Sequence, residues 1–240
     1  MRILTKGIVL HKIKYSDNSL IVKTYTEKLG TQSFMIKNAF SKKNKINYLL
    51  FAPLAMLELN FDYRKPGQIQ YLKEASYYFH FKLIPFDMIR NSILVFYNEL
   101  LYKMLFNYGE DEKLYRFMEE ELILLDSEEA LLPDIHIRFI VQLSRLLGFT
   151  PIDNFCRNSC FFSINEASFL PVNDPKNTIS YEASEYLHHI LQYSETGKSM
   201  IIPPKIVRNE LLQALVRYFE FHHDSIKKIE SLDILTQVLN

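Results

Sequence analysis

A lysine-rich stretch, IKNAFSKKNKINYLLFAPL at residues 36–54, holds the residue types that most directly indicate binding chemistry. Its clustered basic residues, among which no acid lies, are Lys37, Lys42, Lys43 and Lys45. Phe34 and Phe40 lie close by in the sequence. Ammonium groups neutralise phosphates, and aromatic rings stack on bases for about 1–3 kcal/mol each. The stretch therefore predicts a phosphate-contacting loop with base-stacking Phe34 and Phe40; a solvated loop is the alternative.

Two other motifs carry weaker indications of chemistry. ETGKS at residues 195–199 resembles part of a nucleotide-binding P-loop, but Gln192 occupies the position of the required first glycine. Cys156 and Cys160 are spaced like half of a zinc site, although a structural zinc takes four ligands. We therefore predict no catalytic residue and no cofactor, and we expect the chain to fold without zinc.

Charge is distributed unevenly along the chain, although basic and acidic residues balance at 28 each. Residues 1–82 contain 14 Lys and Arg against 5 Asp and Glu, whereas residues 83–240 contain 14 against 23. A strongly basic segment attracts polyanions, so the first segment is expected to carry the binding surface. Pairing between the two oppositely charged segments is the alternative.

Five predicted strands surround the lysine stretch. Runs rich in Ile, Val, Thr, Tyr and Phe alternate with turn sequences; they are ILTKGIVLHKI, SLIVKTYT, GTQSFMIK, APLAMLELNFDY and QIQYLKEASYYF. In the fourth run, apolar residues recur at period two from Ala55 to Phe61, as in a strand with one buried face. Five short strands fit the oligonucleotide/oligosaccharide-binding barrel, the OB-fold, and an SH3-like barrel nearly as well.

Helices are predicted beyond Pro85, where the apolar period changes to three and four residues. They cover residues 87–109, 114–122, 133–148, 181–192 and 204–222, and SLDILTQVL closes the chain. The predicted fold class is therefore α+β. It has a five-stranded OB-fold barrel at residues 1–82 and a mostly α-helical domain at residues 83–240, within which residues 151–180 are irregular and contain both cysteines.

The sequence shows no membrane or export segment. MRILTKGIVLHKIKY at the start has charges scattered among its apolar residues and no small-residue cleavage site. No apolar run approaches the roughly 20 residues that span a bilayer. We therefore expect a cytoplasmic protein without membrane contact.

Several short motifs occur in the order of a known family. Tyr15-Ser16-Asp17 matches a turn after the first strand, and residues 37–43 match a Lys-Gly-Ala-Arg-Arg-like basic loop in which Asn38 replaces glycine. Asparagine is among the few residues that tolerate positive φ, so this change is acceptable. LLGF at residues 146–149 and the pattern Lys-x-x-x-Ser-Leu-x-x-Leu at residues 227–235 match later elements. The order resembles the bacterial RecO family of recombination mediators over nearly the whole chain.

The resemblance implies an OB-fold that binds single- and double-stranded DNA in the nucleoid, followed by a helical domain. Cys156 and Cys160 correspond to the remnant of a four-cysteine zinc site, so residues 151–180 are expected to be a degenerate zinc-module-like segment. Such proteins anneal complementary strands, bind the C-terminal tail of single-strand-binding protein, and act with RecR in loading RecA. DNA repair by recombination, without enzymatic chemistry, is therefore the implied function.

Arg138 and Arg145 are the predicted partner-binding residues. They are seven positions apart on one predicted helix and therefore lie on nearly the same side. Intramolecular pairing with acids such as Glu119–Glu121 is one explanation for arginines in an acidic segment. The other is that they receive the acidic tail of single-strand-binding protein, since arginine binds carboxylates through two hydrogen bonds.

A second class of function is compatible with the same fold. In this alternative the protein is an interaction adaptor, and its basic barrel binds an acidic protein partner instead of DNA. Binding to an oligonucleotide that weakens steeply with salt distinguishes DNA binding from the adaptor.

Overall fold

The computed structural model describes residues 1–41, 44–128, 131–196, 202–223 and 226–239. Its first part is a closed five-stranded barrel of OB type, as predicted. The strands are β1 Arg2–Ser16, β2 Ser19–Thr26, β3 Gly30–Lys37, β4 Met56–Asp62 and β5 Gln70–Phe79. Each strand overlaps one of the five predicted runs.

The barrel closes in the order β1-β2-β3-β5-β4, and β4 pairs back to β1. β3 and β5 are parallel, whereas the other neighbours are antiparallel. The β3–β5 ladder consists of two residue pairs, Phe34 with Gln70 and Met35 with Tyr71. The ladder ends at Met35, two residues before β3 ends at Lys37 and leads into the lysine-rich loop.

Alternation of side chains along the strands builds the barrel interior. Ala55, Leu57, Leu59 and Phe61 are all buried, which confirms the buried face predicted for this run. Asn60, predicted on the opposite face, is nevertheless only 8% exposed, because its side chain hydrogen-bonds to Arg2 and Glu74.

The helices of the structure begin and end close to the predicted positions. They are α1 Met88–Met104, α2 Glu112–Leu125, α3 Ile135–Leu146, α4 Tyr181–Thr196, α5 Lys205–His222 and α6 Ser231–Leu239. None of the helices in the described ranges has the length and apolar character needed to cross a membrane.

Two compact units make up the chain: Met1–Glu128 with Asp233–Asn240, and Glu129–Leu232. Helices α1 and α2 therefore belong to the same compact unit as the barrel. The predicted domain boundary after Lys82 lies where the strands end and the helices begin. The domain ranges 1–82 and 83–240 remain predictions.

Within the first unit, the connection between α1 and α2 covers one end of the outer barrel face. The Tyr25 hydroxyl donates a hydrogen bond to the carbonyl oxygen of Gly109 at 3.1 Å. The Thr31 amide donates to the carbonyl oxygen of Tyr108 at 2.9 Å. The other end of β2 and β3, toward Lys37, has no such cover in the described part of this unit.

The cysteine-containing segment is more regular than predicted. It includes a small antiparallel hairpin of β6 Phe161–Ser163 and β7 Ser168–Leu170. Three-residue strands are too short to show a periodic apolar pattern, so sequence periodicity missed them.

Candidate nucleic-acid interface

The lysine-rich loop leaves the barrel at the end of β3. Asn38 has φ +53°, which confirms that asparagine here takes the left-handed conformation. Ala39 is fully buried, and the Asn44 side-chain amide donates to the carbonyl oxygens of Lys37 and Asn38 at 2.8 and 3.2 Å. Lys37 and Lys45 are exposed on this folded base. The predicted phosphate contacts Lys42 and Lys43 lie outside the described residues.

One of the two predicted stacking residues is accessible. Phe40 is 42% exposed and lies beside Tyr48, which is 41% exposed, with ring centroids 5.4 Å apart. Phe34 is fully buried and packs edge-on against Phe61 at 4.9 Å between centroids. The prediction of a base-stacking role for Phe34 is therefore wrong for this conformation, because its ring fills the barrel core.

A cation-aromatic group that sequence analysis missed lies next to this loop. The Lys37 ammonium is 5.2 Å from the ring centroid of Tyr71, and the Arg64 guanidinium carbon is 4.5 Å from the same centroid. Tyr71 is 36% exposed. Arg64 is distant from Lys37 in the sequence, and their shared contact with Tyr71 depends on the pairing of β3 with β5.

The cations beside this loop lack an acidic partner, in contrast to four others on the barrel, which are Arg2, Lys6, Lys14 and Lys73. Lys14 and Lys73 form ion pairs with Asp17 and Asp62, with nitrogen–oxygen distances of 3.3 and 2.6 Å. Among the described residues, Lys37, Lys45 and Arg64 form no ion pair with an acid. Exposed cations without an acidic partner are available to phosphates without the loss of an ion pair.

Arg138 is held by an acid within its own helical segment. Its Nε donates to Asp134 Oδ2 at 2.7 Å, and the Tyr186 hydroxyl donates to the same oxygen. Asp134 is fully buried, so the arginine offsets a carboxylate charge in the interior. The intramolecular explanation thus accounts for Arg138, with Asp134 in place of the expected run Glu119–Glu121.

Arg145 has a different environment. Its Nη2 donates to the carbonyl oxygen of Leu191 at 2.8 Å, and its Nη1 lies 3.4 Å from Gln142 Oε1. Among the described residues it makes no ion pair with a carboxylate. Of the two arginines, Arg145 is the one whose charge is not already neutralised.

The cysteines and their neighbours do not fit a zinc site. Cys156 is exposed, and Cys160 is partly buried. His188, a conceivable further ligand, directs Nδ1 to Asp153 Oδ1 at 2.6 Å and stacks on Phe155. The described residues contain no cluster of three or more His, Cys, Asp and Glu side chains suited to a metal. Folding without zinc remains a prediction.

The P-loop-like residues Gly197, Lys198 and Ser199 lie outside the described residues. The segment before them is the helix α4, whereas a P-loop follows a strand.

Comparison with known proteins gives a consistent result along the chain. A family model described as "Recombination protein O N terminal" matches residues 1–80, and one described as "Recombination protein O C terminal" matches residues 85–229. The chain is similar to a protein named DNA repair protein RecO in Bacteroides fragilis, with 31% identity over 98% of both chains. Proteins of the same name in Phocaeicola vulgatus and Flavobacterium psychrophilum are each 29% identical, over 98% and 100% of both chains.

Proposed function

Because the chain belongs to the RecO family of DNA repair proteins, we propose that it binds DNA through its barrel and acts as a recombination mediator. In this role it binds and anneals single strands, also binds duplex DNA, and helps to load RecA onto DNA coated with single-strand-binding protein. One observation supports the proposal most: among the described residues, the cations Lys37, Lys45 and Arg64 lack acidic partners, and Lys37 and Arg64 lie over the exposed ring of Tyr71.

Charge neutralisation is the first part of the mechanism. Lysines that contact phosphates release condensed counterions, and this release favours binding. Two DNA strands that approach each other repel through their phosphates, and a surface with unpaired cations lowers this repulsion. The loop cations are therefore suited to annealing, which requires no bond to be made or broken.

Stacking is the second part. The exposed rings of Phe40 and Tyr48 offer flat apolar surfaces to unpaired bases, and each stacked base contributes roughly 1–3 kcal/mol. Bases held in this way are separated from one another and remain open to pairing with a second strand.

Binding to DNA also implies association with the nucleoid.

Changing Lys42, Lys43 and Lys45 to alanine together is expected to weaken binding to single-stranded DNA. If each lysine contacts one phosphate, the slope of log affinity against log salt concentration decreases by about 2, because a single strand releases roughly 0.7 counterion per contact. The measurement is the fluorescence anisotropy of a labelled oligonucleotide over a salt series.

A triple variant of Lys28, Lys73 and Lys103 is the matched control, because it removes the same charge from side chains that already bind the Leu4 carbonyl, Asp62 and Glu99. Its salt slope is expected to stay close to that of the wild type. Equal salt slopes for the wild type, the loop variant and the control variant would show that the loop lysines contact no phosphate and that the loop is a solvated one. Wild-type protein that does not bind the oligonucleotide, or binds it without salt dependence, would favour the adaptor function.

Protein partners form the second part of the proposal. We place the acidic tail of single-strand-binding protein at Arg145, which has no carboxylate partner among the described residues, with Arg138 as a neighbouring residue. RecR is the second proposed protein partner. The chain acts together with RecR in loading RecA, so its proposed interaction with RecA is indirect.

Arg145→Ala is expected to weaken binding of a tail peptide by about 1.5–3 kcal/mol, the range for hydrogen bonds to charged groups. The affinity for DNA stays unchanged, because the barrel is untouched. Titration of the peptide by calorimetry measures the first quantity, and oligonucleotide anisotropy measures the second.

Arg138→Ala has a different expected result, since removal of the arginine leaves the buried Asp134 carboxylate without its cation. A loss of folding stability therefore accompanies any loss of peptide binding by this variant. If Arg145→Ala binds the peptide as the wild type does, the tail site lies elsewhere.

A further inference from the structure

An apolar groove, here called the α1–α6 groove, lies between helices α1 and α6 in the unit that contains the barrel. Its volume is about 630 Å³. Both helices and the turn before α1 contribute apolar side chains to its lining; they are Pro85, Phe86, Met88, Val95, Ile234 and Val238. Residues three and four apart share one side of a helix, so Ile234 and Val238 form one apolar stripe along α6.

Phe86 is the most exposed side chain of this groove, at 90%. Asp87 caps α1 directly after it, and its side chain accepts the amide hydrogens of Ile89 and Arg90 at 2.9 and 3.0 Å. A hydrophobic residue just before a helix cap often packs on a hydrophobic fourth residue of the helix. The fourth residue of α1 is Asn91, so this contact is not available to Phe86, and its ring projects into solvent.

The exposed apolar surface of the groove has the size of an interaction site. Besides Phe86, Met88 is 71%, Ile234 55% and Val95 38% exposed. Together these four residues present roughly 500 Å², and the largest apolar patch on a typical monomer, roughly 300–600 Å², is often functional. The groove is therefore a candidate for contact with another protein surface.

Charge does not favour a charged occupant. Among the described residues that line the groove, Asp87 alone is charged. Its carboxylate caps α1, and its Oδ2 lies 3.4 Å from the Arg90 Nε. The other polar lining residues, Asn91 and Ser92, are neutral. These lining residues offer no cation to an acidic peptide or a phosphate, and no unpaired carboxylate to a basic peptide.

We propose that a second copy of this chain occupies the α1–α6 groove, in a dimer with two-fold symmetry. In such a dimer the same surface of both copies is in contact, so a side chain that projects from each copy enters the depression of the other. The groove provides both parts. Phe86 projects at the start of α1, and Val95 and Ile234 line the space between the helices.

The area of the patch agrees with a weak dimer. Two patches in contact bury about 1,000 Å², which is near the lower limit for a specific interface. We therefore expect dissociation at micromolar protein concentrations. Because the contact is apolar, added salt should not weaken it, whereas salt screens contacts between exposed charges. The inference goes beyond DNA binding and does not depend on it.

The experiment is sedimentation equilibrium of the full chain without DNA, over protein concentrations from micromolar to millimolar. The average mass of the wild type is expected to rise from 28.4 kDa toward twice this value and no further. Phe86→Asp is expected to weaken the dimer more than about tenfold, since each copy then buries a carboxylate without a partner. Ile234→Asp, on the other helix, is expected to have the same effect.

Phe221→Asp is the matched control, because it removes a 61% exposed phenylalanine of α5, outside the groove. This variant is expected to dimerise like the wild type. Phe86 and Ile234 are more than half exposed in a single copy, so their substitution should leave the fold of the free chain intact. Far-ultraviolet circular dichroism checks the fold of each variant.

Each other outcome contradicts the proposal. A wild type that stays monomeric overturns it, and so does a dimer that neither Phe86→Asp nor Ile234→Asp weakens. Oligomers larger than a dimer, or a dimer that dissociates in salt, contradict an apolar contact with two-fold symmetry. If the wild type is monomeric and Phe86→Asp instead loses binding to a different protein, the groove belongs to that partner and the dimer is overturned.

Discussion

Replacing Gly30 with alanine is expected to destabilise the barrel unit by about 2–5 kcal/mol, as the sum of backbone strain and overpacking. Gly30 begins β3 with φ +62°, a conformation that L-residues rarely adopt. A Cβ atom here would lie 2.5 Å from the carbonyl oxygens of both Gly109 and Tyr108. Both obstacles are backbone atoms, so a side-chain rotation cannot relieve the clash.

The close approach at Gly30 is fixed by hydrogen bonds on both sides. Thr31 donates its amide to the carbonyl oxygen of Tyr108 at 2.9 Å, and Tyr25 donates its hydroxyl to that of Gly109 at 3.1 Å. Separation of the two segments to admit a methyl group would break these bonds. The substitution therefore loosens the α1–α2 connection from the outer face of the barrel.

Gly67→Ala is the matched control for this prediction. Gly67 also has positive φ, at +74°, but nothing lies within 4 Å of its added Cβ. It should lose only the strain energy, about 1–2 kcal/mol. Urea unfolding followed by far-ultraviolet circular dichroism measures both variants, since the chain has no tryptophan. Equal midpoints for the two alanine variants would show that the contact with Gly109 and Tyr108 does not constrain Gly30.

Replacing Asp126 with alanine is expected to lower the free energy of unfolding by about 3–5 kcal/mol, near the low end of what three hydrogen bonds to a charged group contribute at about 1.5–3 kcal/mol each. Its carboxylate accepts the amide hydrogens of Lys82, Leu83 and Ile84 at 2.8–2.9 Å. Asp126 is 7% exposed, and Ile84 is 1% exposed. The variant leaves these amides without an acceptor where water has little access.

The location of these bonds provides a specific readout. Asp126 follows the end of α2, and it holds the segment that leads from β5 into α1. Hydrogen exchange of the amides of Lys82, Leu83 and Ile84 should accelerate in Asp126→Ala, together with a lower urea midpoint. Asp17→Ala is the control, because Asp17 forms an exposed ion pair with Lys14 and is expected to change stability by less than about 1 kcal/mol. Unchanged exchange at the three amides would contradict the role assigned to Asp126.

Local patterns in the sequence determined the secondary structure and the fold class. Period-two alternation from Ala55 to Phe61 identified β4, because a strand with one buried face has this pattern whatever its partners are. Apolar residues that recur at three and four positions within residues 87–109 identified α1 for the corresponding reason. The positive φ of Asn38 could also be expected from the sequence, because it depends on the sterics of the residue itself.

Only part of the candidate site could be predicted from the sequence. Lys37 and Lys45 were identified by their charge and by the lack of acids nearby in the sequence, both of which are local properties. Phe34 was misassigned because closeness to the lysines in sequence does not show which strand face points inward. Its neighbour Met35 is on the outer face, so a shift of one residue decides between core and surface.

Tertiary structure alone decided which distant residues meet. Lys37 and Arg64 are 27 positions apart, and both lie over Tyr71 only because β5 pairs with β3. Arg138 pairs with Asp134, one turn away, because burial of Asp134 requires a cation, a condition that helical spacing does not reveal. Local sequence fixes the conformation of each strand and helix through backbone sterics and the apolar period. The pairing register and burial that assemble the site arise from contacts between segments far apart in the chain.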